Sequence, residues 1–194
     1  MIRIEKSRKL AKLLRWDKPE CYETGGWRRV EDILQRLDVT IEELQELVQS
    51  DPKNQNSPDR GRFEFSADLS KIRARDGHAN WIPLEEKRPT ESFPAKLYHG
   101  TSLDNVASIL SKGILSMDRR YVHLSADRTE AFRVASRRKN PVVLEIDTQL
   151  LIQNGGKIYS PDSIAWLCSE VSSKAIKDYM YIGHGVVYFE CPEQ

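Results

Sequence analysis

The sequence predicts an α+β protein built as two lobes, and three observations carry that prediction. The first fifty residues hold three amphipathic helical patterns followed by a pair of alternating segments. Beyond residue 95, short apolar strands interleave with short helices. Between the two lies Gly77 to Pro94, which carries Pro83, Pro89 and Pro94 among several charges and suits a connector. The lobes are placed at residues 1–82 and 95–194, with a linker at 83–94.

In the first lobe, Leu10, Leu13 and Leu14 mark one face of a helix over Lys6–Leu14, while Arg8, Lys9 and Lys12 occupy its other positions. Pro19, Gly25 and Gly26 break the pattern before Trp27-Arg28-Arg29-Val30. Ile33, Leu34 and Leu37 make Glu31–Leu37 a second helix, and Thr40-Ile41-Glu42-Glu43 is a capping box opening a third with Leu44, Leu47 and Val48. Asp51 to Gly61 reads as a loop, after which Arg62-Phe63-Glu64-Phe65 and Lys71-Ile72-Arg73-Ala74-Arg75 could pair as a hairpin. Three helices and a two-stranded wing are the parts of a winged-helix module.

In the second lobe, Lys96–His99 reads as a strand that turns sharply at Gly100, with Thr101 and Ser102 free to cap the next helix. That turn offers a seat for a nucleotide; an ordinary strand-to-helix connection is the plainer reading. Ser102–Ser111 is helical with Gly113 as its stop, and Tyr121–Ser125 is a second strand. Asp127-Arg128-Thr129-Glu130 reads as a capping box for a helix ending in Arg137-Arg138-Lys139. The strand Val142–Asp147, a short helix at Leu150-Leu151, a possible helix near Ser172–Lys177 and a strand at Gly185–Glu190 complete the chain.

Composition narrows the chemistry. The hydrophobic fraction of 39% over 194 residues supports a core, and the formal net charge of +1 means that affinity for nucleic acid must come from a local patch. Cys21, Cys168 and Cys191 are odd in number and far apart, which speaks against a disulfide framework or a zinc site and for a reduced, cytoplasmic setting. No apolar run approaches the roughly 20 residues of a membrane span, and no leader pattern opens the chain. His78, His99, His123 and His184 lack ligand-spaced partners, so no metal site is expected. Walker, Rossmann and serine-hydrolase motifs are missing too.

Arginines remain. Arg15 closes the first helix, Arg73 and Arg75 lie on the wing, Arg119-Arg120 precede a strand, and Arg137-Arg138 close a helix. Guanidinium groups bind phosphate by paired, charge-assisted hydrogen bonds and stay protonated, so such clusters suit a phosphorylated ligand. Taken singly, each is more often a solvated residue or the complement of a helix C-terminus.

Ser7-Arg8-Lys9-Leu10-Ala11-Lys12-Leu13-Leu14-Arg15, Gly26-Trp27, Lys71-Ile72-Arg73-Ala74 with Gly77-His78, Leu97-Tyr98-His99-Gly100-Thr101, Tyr121-Val122-His123-Leu124-Ser125, and Arg137 with Pro141-Val142-Val143-Leu144 occur in one order along the chain. That order resembles the NAD-dependent RNA 2′-phosphotransferases. The resemblance implies a winged-helix, RNA-binding lobe and an ADP-ribosyltransferase-like, NAD-binding lobe with the active site between them. It implies removal of a splice-junction 2′-phosphate from tRNA-like RNA, through an RNA-2′-phospho-ADP-ribose intermediate, to give ADP-ribose 1″,2″-cyclic phosphate and nicotinamide. By the family pattern Arg15, Arg73 and Arg137 are catalytic. His78, Arg75 and Trp16 face the RNA, and His99, Gly100, Thr101, Arg119, His123 and Ser125 hold NAD; no metal is involved, and a monomer is expected.

The chain departs from the pattern at three places: Trp16 stands where the family has His, Ala79 where it has Ser, and Ser163-Ile164 where it has Asn-Gly. An indole donates one hydrogen bond and stacks, whereas an imidazole also moves a proton. Two alternatives therefore stand beside the main reading: an ADP-ribosyltransferase that stops after the first step on a nucleic-acid terminal phosphate or another acceptor, and a non-catalytic RNA-binding module.

Overall fold

A computed structural model describes residues 2–51, 61–160, 165–183 and 186–190. Positions 52–60, the Ser163-Ile164 departure, His184, Gly185 and Cys191 lie outside the described residues. The chain is mixed α and β with small antiparallel sheets, and it divides into two compact units. Met1–Glu86 and Asp118–Arg120 belong to the first; Lys87–Met117, Tyr121–Pro161 and Ala165–Gln194 form the second.

In the first unit, α1 (Ile2–Leu13), α2 (Val30–Leu37) and α3 (Ile41–Gln49) bury Leu10, Leu14, Ile33 and Leu44 with Phe63 and Ile72 of the hairpin. The expected capping box is present: Thr40 Oγ1 accepts from the Glu43 N–H at 3.3 Å while the Thr40 N–H donates to the Glu43 carboxylate at 3.0 Å. The hairpin pairs β2 (Phe63–Phe65) with β3 (Lys71–Ala74) antiparallel, and β1 (Arg28–Arg29) joins on the other side to give the order β1-β3-β2. β1 was not expected, since two residues beside a double glycine carry no strand period.

The second unit holds a four-stranded sheet, β10-β9-β6-β4, and a three-stranded sheet, β5-β8-β7. The first is formed by β4 (Lys96–Ser102), β6 (Pro141–Asp147), β9 (Ile176–Gly183) and β10 (Val186–Glu190). The second comprises β5 (Val122–Leu124), β7 (Ile158–Tyr159) and β8 (Trp166–Cys168). Between them run α4 (Leu103–Lys112), α5 (Arg128–Ala135) and α6 (Thr148–Gln153). Leu97, Val122, Leu124, Val142, Leu144, Ile146, Leu151 and Ile176 share one core.

Several expectations are corrected here. β4 does not turn at Gly100 but continues to Ser102, with Gly100 opposite Val143. Ser102 sits at the N-cap of α4 without a side-chain cap, and Thr101 Oγ1 instead accepts from Asn105 Nδ2 at 3.2 Å. α5 ends at Ala135, so Arg137 and Arg138 lie in the turn beyond it. Asp127 caps α5 through the Thr129 N–H at 2.8 Å, while Glu130 pairs with Arg133 and leaves the box unreciprocated. The helix expected near Ser172–Lys177 is a three-residue 3-10 turn, Ser173–Ala175, running straight into β9.

β9 places Asp178 directly opposite Glu145 of β6, a like-charge pairing that opposes the sheet. Burial alone would raise the Glu145 pKa, but hydrogen bonds from Lys96 at 2.6 Å and Arg128 at 2.5 Å outweigh it and hold the group below its usual range.

Candidate functional site

The first unit gathers its chemistry at the end of α1. The carbonyl of Leu13 is an orphan of the helix terminus, and it accepts from Tyr22 Oη at 2.8 Å and from Arg28 Nη1 at 3.0 Å. Arg28, 2% exposed, also pairs with Asp17 at 2.7 Å. It is a structural arginine. With Asp17 and Leu13 held in this way, the intervening Arg15 and Trp16 have little freedom.

Residues 77–80 close over that corner. Ala79 donates its backbone N–H to the Arg15 carbonyl at 2.9 Å. Ala79 also bridges antiparallel to Arg119, with Asn80 N–H donating to Asp118 O at 2.9 Å and Arg120 N–H to His78 O at 3.2 Å. Arg119 is thereby built into the first unit, beside Arg15. Gly77 adopts φ +79°, and a Cβ there would lie 3.3 Å from Arg15 Nε and 3.5 Å from Arg119 Nη1. The two guanidiniums border one glycine because no side chain separates them.

Arg15 pairs with Asp76 at 3.2 Å and lies over the Phe63 ring. Its Nε is buried and has no hydrogen-bond partner among the described residues. Burial lowers its pKa, the neighbouring Asp76 opposes that, and the charges of Arg62 and Arg119 add to it. Arg73 stacks 4.3 Å from the Trp27 ring centre, donates to Gly25 O at 3.1 Å and pairs with Glu64 at 2.5 Å. Arg75 shares that carboxylate at 2.8 Å, and its Nε is likewise buried without a partner among the described residues. The two arginines expected on the wing thus converge on Glu64, which sits directly opposite Arg73 in the hairpin register.

His78 is buried, and its Nε2 would lie 3.0 Å from a Cβ at Gly26. The Gly25-Gly26 turn therefore has Arg73 on one side and His78 on the other, and Gly77 next along the chain touches Arg15 and Arg119. Five of the expected residues form one band across this unit: Arg15, Arg73, Arg75, His78 and Arg119. Trp16 joins it, with the Arg119 guanidinium carbon 5.8 Å from its ring centre. Reasoning from sequence missed Asp76 and Glu64, the carboxylates that hold these arginines. Glu64 could have been found by setting the two alternating segments in register; Asp76 carries no local signal.

In the second unit, His99 Nδ1 lies 3.1 Å from His123 O and His123 Nδ1 3.1 Å from Tyr121 O. Carbonyls only accept, so each Nδ1 carries the proton. Burial lowers the His99 pKa, the His123 carbonyl opposes that, and Arg138 adds to it, so the ring is neutral at pH 7. Tyr98 and Ser125 exchange both backbone hydrogen bonds at 2.8 Å, which draws His99, His123 and Ser125 together.

Gly100 and Thr101 are different. A Cβ at Gly100 would meet Ala131 O at 2.2 Å and Ala135 N at 3.0 Å, so the glycine exists to let α5 lie against β4. The space read from the sequence as room for a ligand is filled by helix backbone. Thr101 is buried and engaged by Asn105. Arg137 is exposed in the turn after α5. Burial pushes the Cys168 thiol up to about 12, so it is no nucleophile. Among the described residues no cluster of His, Cys, Asp or Glu could hold a metal, and no helix is long and apolar enough to cross a membrane.

The model of the family described as "RNA 2'-phosphotransferase, Tpt1 / KptA family" matches residues 2–170. The chain belongs to this family of RNA 2′-phosphotransferases. It is 36% identical to a probable RNA 2′-phosphotransferase of Burkholderia pseudomallei over 78% of this chain and 80% of that protein. With one from Fusobacterium nucleatum it shares 35% identity over 79% and 84% of the two chains, and with one from Thermococcus kodakarensis 42% over 63% and 62%. The RNA 2′-phosphotransferases are transferases, which sets aside the expectation of a non-catalytic RNA-binding module.

Proposed function

We propose that this RNA 2′-phosphotransferase removes an internal 2′-phosphate from RNA with NAD as acceptor. The first unit acts as the winged-helix, RNA-binding lobe and the second as the ADP-ribosyltransferase-like, NAD-binding lobe. A 2′-phosphate oxygen attacks C1″ of the nicotinamide ribose; the bond from C1″ to the ring nitrogen breaks, its electrons stay with nicotinamide, and RNA-2′-phospho-ADP-ribose forms. The 2″-hydroxyl then attacks phosphorus, its proton goes to the departing RNA 2′-oxygen, and ADP-ribose 1″,2″-cyclic phosphate is released.

The nucleophile is already an anion, so the first step requires no general base. It requires fixed cations, and Arg15 meets that need best: its guanidinium is anchored, flanked by Arg119, and keeps an unsatisfied Nε donor. Arg73 and Arg137 assist at the phosphate, with His78 and Arg75 toward the RNA. NAD is held by the second unit, where neutral His99 and Ser125 present hydrogen-bonding groups to a ribose or pyrophosphate.

Incubation with NAD and a short oligonucleotide bearing one internal 2′-phosphate, followed by mass analysis, is expected to give nicotinamide, the cyclic phosphate and RNA with a free 2′-hydroxyl. Absence of all three overturns the proposal.

A second reading rests on Trp16. With indole in place of the family's imidazole, the second step slows and RNA-2′-phospho-ADP-ribose accumulates. Trp16→His is expected to shift the ratio of cyclic phosphate to intermediate upward, and an unchanged ratio discards this reading.

A further inference from the structure

Trp81 is a large aromatic residue that neither the core nor the proposed phosphate site uses. It is 43% exposed, yet its position is fixed. Its Nε1–H donates to the Asp17 carbonyl at 3.0 Å, and its ring meets Trp16 edge-on, with centroids 6.0 Å apart and planes inclined at 68°. The Trp16 backbone N–H donates to Lys12 O at 2.9 Å, which fixes its main chain, and the Asp17 carboxylate is held by Arg28 at 2.7 Å. An indole held this firmly has already lost the rotamer freedom that binding would otherwise cost. Trp16, which it meets, has the Arg119 guanidinium carbon 5.8 Å from its own ring centre, and Arg15 lies across Gly77 from Arg119.

An aromatic ledge next to paired guanidiniums matches the two halves of a nucleotide, a flat base and an anionic phosphate. Resting on the proposed 2′-phosphotransferase reading, we infer that Trp81, braced by Trp16, stacks on an unpaired nucleobase flanking the 2′-phosphorylated nucleotide and so positions the RNA. Single-stranded RNA is the substrate class, because base pairing would hide the face the indole needs.

The test combines variants with modified RNA. The full chain, as wild type, Trp81→Ala and Trp81→Phe, is titrated with a single-stranded RNA carrying one internal 2′-phosphate and with the same RNA made abasic at either neighbour. Trp81→Ala is expected to weaken binding of the intact RNA by about 5-fold or more, raising KM and leaving NAD affinity unchanged, while Trp81→Phe retains most of it. Wild type is expected to bind one abasic RNA as weakly as Trp81→Ala binds the intact RNA, and Trp81→Ala to ignore that change. Equal losses for both proteins on the abasic RNA, or a loss confined to NAD, overturn the ledge. Should Trp81→Ala not fold, a wild-type protein indifferent to both abasic positions overturns it alone. Wild-type turnover is followed in parallel: no nicotinamide release sinks the proposed reaction, whereas normal release with an unchanged RNA affinity for Trp81→Ala sinks only the stacking role.

Discussion

Ala79 donates its backbone N–H to the carbonyl of Arg15 at 2.9 Å, and this one bond joins the end of α1 to the segment that carries Gly77, His78 and the bridge to Arg119. Residues far apart in the chain are thereby placed within a side chain's reach of one another. The chemistry proposed for the first unit depends on that corner keeping its shape.

Replacing Arg15 tests the centre of the corner. Arg15→Ala is expected to lower kcat/KM for 2′-phosphorylated RNA by about 10²–10³-fold, and also to cost about 1–3 kcal/mol of stability, because the mostly buried Asp76 carboxylate loses its cation. Arg15→Lys keeps the charge but loses the planar fork, and it is expected to recover only part of the loss. Steady-state kinetics on both variants check this.

Asp76 neutralises Arg15 in the absence of substrate, with both side chains mostly buried. Asp76→Asn leaves Arg15 facing Arg62 and Arg119 without that carboxylate, and is expected to cost about 1–3 kcal/mol of stability. In the proposed reaction a 2′-phosphate bound at Arg15 would supply the missing negative charge. The deficit, read by urea unfolding, is therefore expected to shrink when 2′-phosphorylated RNA is present, and the RNA Kd to fall.

Gly100→Ala separates packing from ligand binding. The added methyl meets the Ala131 carbonyl, so α5 must move away from β4, at a cost of about 1–3 kcal/mol. Thermal unfolding is expected to show the loss. An unchanged midpoint with weakened NAD binding would instead return Gly100 to the ligand site first read from the sequence.

The pH dependence of stability has a defined sign. Burial lowers the His99 pKa below its ordinary value of 6.5, so between the folded and unfolded pKa values the unfolded chain binds more protons. The His99 contribution is fully present above about pH 6.5 and is lost as pH falls toward the folded pKa. Unfolding free energies from pH 7.5 to 5 are expected to decline, and His99→Asn, which keeps an N–H for the His123 carbonyl, is expected to flatten part of that slope.

What the sequence determined by itself was local. The capping box at Thr40, the helices filled by Leu10, Ile33 and Leu44, the hairpin around Phe63 and Ile72, and the ordered motifs that mark the family all follow from patterns a few residues long. What only the tertiary structure decided involves partners distant in sequence. Gly100 reads as a turn until α5 is seen lying against it, and β9 stays hidden because Asp178 faces Glu145 and is tolerated only where Lys96 and Arg128 reach the same carboxylate. Arg119 joins Arg15 through backbone bonds to residues 78–80, and Asp76 and Glu64 claim the arginines that the sequence offered as free. Local propensity reports the energy of a segment in isolation. The occupancy of a glycine's empty side and the choice of a charge's partner are set by packing, which brings together groups that no short window contains.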